Sequence, residues 1–451
     1  MRRWALVVAA LCVGIVVGVA PWQLGSGAIR WHTQRPNVVV VIGCTVRADQ
    51  TSLADPSLDT TPFLASLAAR GVRFADAIAA APWTKASSGA LLTGVHPARL
   101  GLMEQGPGRN DRALPDSATT LSEVLHGAGW ATVGVTANPN LDPAFGFDQG
   151  FDAYASLTPL WTHRKVAKVH GSEVVRRTLD LVCAQVDEQH PMYVQALFVD
   201  AHKPYDAPVR RAVPGLPHRV DAYRASLRAF DAQVRALHAG LARLGITDEN
   251  TVFVVVSDHG EGLSWPVYNG PGHGRYPYPA IVQQVWAMAG GGLPAGRVVS
   301  GLASGVDLAP TLLGWLGVPA PTGLDGRDLS SAIRRGGATG RDVAYTDTRF
   351  LDVDRAGIYT AGTYCVHDFA PDAARQGEDR RRWPHFRPGC FDRRYPPFST
   401  PVQAPDLAAR LLAWRHAVAT PSTRPDVTIS PDLARHLRAL GYTDGRGGSG
   451  P

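Results

Sequence analysis

Two apolar runs in this chain end in side chains able to ligate or activate. Val38–Ile42 passes through Gly43 into the thiol of Cys44, and Val252–Val256 passes into Ser257-Asp258-His259-Gly260, a carboxylate beside an imidazole. β-branched runs of this length read as strands buried on both faces, as parallel sheets covered by helices require. Reactive groups in such folds collect just past the carboxyl ends of strands. Asp258 and His259 are therefore candidate ligands. Cys44 stands where a hard ligand such as aspartate is expected.

Between those strands the pattern turns helical. Thr60-Thr61-Pro62 is a helix start with proline in the first turn, followed by Phe63, Leu64, Leu67 and Ala68 at helical spacing. Tyr223, Leu227, Phe230, Val234, Leu237, Leu241 and Leu244 recur at intervals of four and three and predict a long helix capped by Gly245. Strands alternating with helices point to an α/β fold with a mostly parallel central sheet. No internal repeat or long low-complexity segment interrupts the pattern.

With 451 residues, 45% of them hydrophobic, the chain can build one large α/β domain or a domain with an appendage. Its net charge of +6 is spread along the sequence and mixed with acids. That favours anionic substrates or membrane surfaces weakly, and no zinc-finger spacing, arginine-rich tail or aromatic RNA-binding signature speaks for nucleic acid.

At the amino terminus Arg2 and Arg3 precede an apolar run from Trp4 to about Ala20. The run is close to the shortest spanning helix, roughly 17 residues, and long for a signal-peptide core. Pro21 directly follows Gly18-Val19-Ala20, which disfavours cleavage there, and Leu11 before Cys12 is too large for a lipoprotein box. The reading is an uncleaved membrane anchor with everything after Pro21 on the extracytoplasmic side.

RPNVVVVIGCTVRAD, DTTPFLASLAARGVRFADAIAAAPWTKASSGALLTGVHP, FVDAHKPYDAP, VVVSDHGEG and VDLAPTLLGWLGVPAPTGLDGRDL occur in this order, with a late echo at LRALGY, Leu437–Tyr442. In order and spacing they resemble the sulfatase-like branch of the alkaline phosphatase superfamily, over about residues 35–333. The resemblance implies a divalent metal at the carboxyl ends of these strands, polarising an ester oxygen on sulfur or phosphorus. Asp258 and His259 match the family's late metal-binding pair.

Cys44 aligns with the family's first metal-binding aspartate, and Thr45 with a second acidic position used for calcium. A Cys-Thr pair lacks the oxygen-rich cage calcium prefers. Cysteine, aspartate and histidine together suit zinc, with manganese next. Three readings of Cys44 stay open: a soft substitute ligand, a mark of a decayed site, or a small buried hydrophobe at a strand end.

Sulfatases carry Cys-x-Pro-x-Arg before a Leu-Leu-Thr-Gly segment, and that cysteine becomes formylglycine. Here Thr84 holds the cysteine position, with Ala86 and Ser88 in place of proline and arginine, so no formylglycine is expected. Threonine is what the phosphoglycerol-transferring relatives use there, which implies Thr84 as nucleophile; a plain helix cap is the alternative. Lys85 beside it is a candidate for holding anionic oxygens, or a solvated lysine at a helix start. The resemblance likewise assigns His202 and His273 to the ester group, with Arg275 among the substrate-binding candidates. Past Arg275 the family's Tyr-Glu-x-x-x-Arg segment is replaced by YPYPAIVQQVW, a departure in the pocket wall.

From about Gly337 the resemblance fades. Cys365 and Cys390 are plausible disulfide partners in an oxidising compartment. Arg380, Arg381, Arg382, Trp383 and Arg387 between them suit phosphate head groups or an anionic polymer, or form a solvated loop. Cys183 falls in a helical pattern and is expected buried. The expected organisation is residues 1–34 as stub, transmembrane anchor and linker, 35–336 as catalytic domain, and 337–451 as a small carboxyl-terminal subdomain. The expected function is metal-dependent hydrolysis or transfer of sulfate or phosphate esters outside the cytoplasmic membrane. The substrate is expected to be an anionic ester, with a lipid head group or an envelope polymer among the candidates. The alternative is an impaired relative that binds such a component without turning it over.

Overall fold

The computed structural model describes residues 34–105, 112–160, 168–187, 189–209, 217–263, 272–350, 353–369, 388–394, 400–418, 427, 429–440 and 442. The apolar run Trp4–Ala20 and the arginine cluster at 380–387 lie outside the described residues. Among the described residues no helix is long and apolar enough to cross a membrane.

Fourteen strands among the described residues make two sheets. In chain order they are β1 (Asn37–Gly43), β2 (Gly71–Ile78), β3 (Glu104–Gln105), β4 (Ala131–Thr136), β5 (Ala153–Ser156), β6 (Met192–Phe198) and β7 (Thr251–Ser257). Then come β8 (Gln283–Gln284), β9 (Trp286–Ala289), β10 (Arg297–Ser304), β11 (Ala344–Phe350), β12 (Arg355–Tyr359), β13 (Thr363–Asp368) and β14 (Gly389–Asp392). The nine-stranded sheet has the order β10-β2-β9-β7-β1-β6-β4-β5, with β8 beside β2. The smaller sheet runs β14-β13-β12-β11-β3.

β1 lies in the middle, parallel to both β6 and β7, with Val40 opposite Gln195 on one side and Val254 on the other. All seven of its residues are buried, which is why its sequence is an unbroken apolar run instead of an alternation. β9 is antiparallel to β7 and β2, so the sheet is mixed although mostly parallel. The large core wraps both faces of this sheet.

The helices that cover it begin with α1 (Pro62–Ala69), α2 (Thr84–Thr93), α3 (Gly171–Gln185) and α4 (His218–Arg243). After them come α5 (Leu308–Leu316), then α6 (Pro405–Val418), which packs on β12 and β13 of the smaller sheet, and α7 (Pro431–Ala439), which packs on the turn after β4. Thr61 precedes α1 and Pro62 opens it, as the sequence predicts, but the cap comes from elsewhere. Asp231 on α4 accepts from the amides of Phe63 and Leu64, both at 2.9 Å, tying the two helices together. The apolar stripe Tyr223, Leu227, Phe230, Val234, Leu237 and Leu241 is buried, and Gly245 follows α4 with φ +78°.

Cys365 on β13 and Cys390 on β14 face each other in register and are joined by a disulfide. Cys183 sits on α3 as expected, but it is half-buried instead of buried. The buried face of α3 runs through Val174, Thr178 and Val182, and Cys183 lies one residue, about 100° of helix, off that face. Among the described residues the free cysteine is Cys44.

Candidate active site

The site is assembled past the carboxyl ends of strands. β1 delivers Cys44 and Thr45, β7 delivers Asp258 and His259, β6 leads to His202 and β4 to Asn138; Thr84 follows β2 as the first residue of α2. Tight backbone packing fixes the two central turns. A Cβ on Gly43 would meet the Phe230 ring at 2.8 Å, and one on Gly260 would meet the Ala280 carbonyl oxygen at 2.2 Å. Thr45 adopts φ +60°, uncommon for a β-branched residue. That bend lets its amide donate to Asp258 Oδ1 (2.9 Å) and its hydroxyl to the Cys44 carbonyl (2.6 Å). Thr45 thus holds the site together without offering its hydroxyl to it.

Thr84 is not a helix cap. Trp83 is the N-cap of α2, and the Thr84 hydroxyl lies 3.4 Å from Cys44 Sγ, 3.3 Å from His259 Nε2 and 2.9 Å from the Tyr442 hydroxyl. It stands at the positive end of a ten-residue helix, where negative charge is stabilised. Cys44, Thr84, His202, Asp258 and His259 are all 0% exposed, so every polar interaction here acts in a low dielectric.

The donor set suits a cation. Sγ of Cys44, a carboxylate oxygen of Asp258 and a ring nitrogen of His259 all lie within 4.8 Å of one another. Asp258 Oδ1 accepts from Thr45 and His259 amides, whereas Oδ2 accepts no hydrogen bond among the described residues and lies 3.5 Å from His259 Nε2. A buried carboxylate oxygen left this way is costly unless a cation meets it. His259 Nδ1 donates to the Gly260 carbonyl at 2.7 Å, which turns the Nε2 lone pair toward Asp258 and Thr84, the arrangement of a metal-bound histidine. Burial pushes the Cys44 thiol well above its usual range, and the Asp258 carboxylate adds to this. Only a nearby cation makes it a thiolate.

The two further histidines flank this cluster. His202 and His273 rings are 5.2 Å apart, and His273 is 4.6 Å from His259. His202 Nδ1 donates to the Lys203 carbonyl (2.6 Å), leaving its buried Nε2 without a partner among the described residues. Burial holds both rings neutral by pulling their pKa values well down. Buried Lys168 anchors the His202 loop, donating to the carbonyls of Asp200, His202 and Pro204.

Lys85 is not a solvated lysine at a helix start. It is 1% exposed, with Nζ 3.3 Å from the Phe145 ring and donating to the Arg112 carbonyl at 3.3 Å. Arg275 is half-buried, two residues past His273, and its carbonyl accepts from Arg355.

Three residues near the reacting groups were not anticipated. Asn138 donates to Cys44 Sγ at 3.4 Å; it follows the carboxyl end of β4, so the strand-end rule could have found it. Glu261, fully buried, places Oε1 3.3 Å from His273 Nδ1. Tyr442, fully buried, arrives from the LRALGY segment, visible in the sequence only as a motif without a role.

A family model described as Sulfatase matches residues 36–318. The chain belongs to the sulfatase family. Among curated relatives of this sulfatase-family chain, N-acetylgalactosamine-6-sulfatase of Sus scrofa is 27% identical over 80% of this chain and 75% of its own length. Arylsulfatase A of Bos taurus is 28% identical over 74% of this chain and 75% of its own. Among solved structures, a complex with its substrate D-glucosamine-2-N,6-O-disulfate is 16% identical, has TM-score 0.68, and covers 86% of this chain and 99% of that one. A phosphonate monoester hydrolase from Silicibacter pomeroyi is 18% identical, has TM-score 0.62, and covers 85% of this chain and 94% of that one. The solved structures share the α/β fold.

Proposed function

We propose that this sulfatase-family protein is a metal-dependent hydrolase or transferase of sulfate or phosphate esters, with Thr84 as its nucleophile. The observation that carries the reading is the Thr84 hydroxyl at the amino end of α2, within 3.4 Å of both Cys44 Sγ and His259 Nε2. Cys44, Asp258 and His259 are the residues to hold the cation, zinc or manganese before calcium, and the sulfur among them favours zinc. When bound, such a cation polarises the ester and lowers the pKa of an attacking oxygen.

The chain's own groups supply the rest. Thr84 loses its hydroxyl proton to a neighbouring base and Oγ1 forms the bond to sulfur or phosphorus as the bond to the leaving oxygen breaks; water or an acceptor alcohol then takes the group from Thr84, which regains a proton, and the α2 amino terminus stabilises the gathering negative charge. His202 Nε2, neutral and unpartnered, is placed to take or return a proton when the ester arrives. Glu261 fixes the His273 ring through Nδ1 and so sets which nitrogen faces the ester. A threonine needs no prior conversion, unlike the cysteine at the corresponding position of sulfatases.

The proposal places the catalytic domain outside the cytoplasmic membrane. The Cys365–Cys390 disulfide and the basic, apolar amino terminus support that location. An anionic lipid head group or envelope polymer is the proposed substrate class. The test is a panel of aryl sulfate, aryl phosphate and phosphodiester probes, assayed after chelation and after return of zinc, manganese or calcium. Turnover restored by zinc or manganese is the expected result. No turnover of any probe under any metal would overturn the reading.

A further inference from the structure

The space an ester must enter is filled by the chain itself. α7 runs from Pro431 to Ala439, capped by the Ser430 hydroxyl at the Leu433 amide, and it packs on the turn Pro139–Leu141 after β4. Leu433, Leu437 and Leu440 are buried, and the Tyr442 amide donates back to the Leu437 carbonyl at 3.0 Å. This docking delivers the Tyr442 phenol to the nucleophile, hydroxyl to hydroxyl at 2.9 Å. Its ring centroid is 5.8 Å from His273, 6.2 Å from His202 and 6.2 Å from Phe350.

A reacting sulfur or phosphorus must sit roughly 3–3.5 Å from the attacking oxygen. The Tyr442 oxygen already stands inside that shell, and its ring is seated against the two histidines assigned to the ester. Thr84 and Cys44 are closed to solvent in this arrangement. A nine-residue helix is too short to be stable by itself, so α7 persists through docking, and Tyr442 is part of what docks it.

We propose that Tyr442 is a tethered pseudosubstrate: the carboxyl-terminal segment closes the active site by seating its phenol in the ester position, and substrate enters only when that segment leaves. The proposal rests on Thr84 as the nucleophile, but its main test does not depend on turnover.

Cys44 reports the opening. In the full-length chain, unreduced and with EDTA throughout, iodoacetamide labelling of the Cys44 peptide is followed by mass spectrometry. Tyr442→Ala should label at least roughly tenfold faster than the native chain, and Tyr442→Phe, which keeps the ring, within about threefold of it. Leu433→Asp undocks α7 without touching the site and should open it as Tyr442→Ala does, which carries the test if the alanine variant folds poorly. Equal labelling in the native chain and whichever opening variants melt cooperatively would overturn the proposal. So would loss of aryl-ester turnover in both Tyr442 variants with Cys44 still protected, since Tyr442 would then be a catalytic group. Opening without turnover in any variant leaves the closure standing and removes the functional reading instead.

Discussion

The hydroxyl of Thr84 lies 3.3 Å from Nε2 of His259, across 175 residues of sequence. Two strand ends, β2 leading into α2 and β7 leading into the Asp-His pair, converge to make that contact. With Cys44 at 3.4 Å from the same hydroxyl, an alcohol, an imidazole and a thiol share one buried volume with the unpaired oxygen of Asp258.

Cation binding should depend on the sulfur of Cys44. Cys44→Ser should weaken zinc binding by more than tenfold, about 1.4 kcal/mol, because a hydroxyl is a poorer zinc ligand than a thiolate. Cys44→Asp should shift preference toward manganese or calcium. Chelator competition measures both, and unchanged zinc affinity in Cys44→Ser would remove the ligand assignment.

Asp347 on β11 gives a pH-dependent outcome away from the site. Burial pushes its carboxyl from 3.8 up to about 7, against the pull of Arg415 and Arg349 and with help from Asp354. Both its oxygens lack hydrogen-bond partners among the described residues. The folded chain therefore holds this proton more tightly than the unfolded chain. The contribution of this group to stability is full below about pH 4, is lost as pH rises toward 7, and is flat above, a loss on the order of a few kcal/mol. Asp347→Asn should raise the melting midpoint at pH 8 and leave it unchanged at pH 4; an equal change at both would contradict the assignment.

Much of this site was legible before the fold because its residues follow unbroken apolar strands. Val38–Ile42 and Val252–Val256 had to be central, and central parallel strands place whatever follows them at the sheet's reactive edge. That reasoning reached Cys44, Asp258 and His259 from pattern alone. Thr84, His202 and His273 came from the resemblance of their motifs. Tyr442 was not reachable in this way, because its role depends on packing between distant segments: it lies 358 residues from the hydroxyl it touches. Lys85 was marked for its place beside Thr84, whereas its contacts with the Phe145 ring and the Arg112 carbonyl carry no mark in the sequence. The antiparallel β9 inside the sheet was also hidden, since a four-residue buried strand reads the same in either direction.

The disulfide of the smaller sheet should be a measurable part of stability. Cys365 and Cys390 close a loop over a separation of 25 residues, for which chain entropy gives about 3 kcal/mol. Replacing both with alanine should lower the denaturant midpoint and steepen the slope, because the unfolded chain without the cross-link exposes more surface. An unchanged midpoint would mean that β13 and β14 are held by the sheet alone.

The central claim is that Thr84 Oγ1 becomes covalently attached to the transferred group. The direct measurement is acid quenching of the metal-loaded enzyme during turnover of an aryl phosphate or aryl sulfate, followed by mass spectrometry of the peptide containing Thr84. The account predicts a phosphoryl or sulfuryl adduct on Thr84, absent in a Thr84→Ala variant that melts normally and turns over at least roughly a thousandfold more slowly. An adduct on another residue, or undiminished turnover in Thr84→Ala, would contradict it.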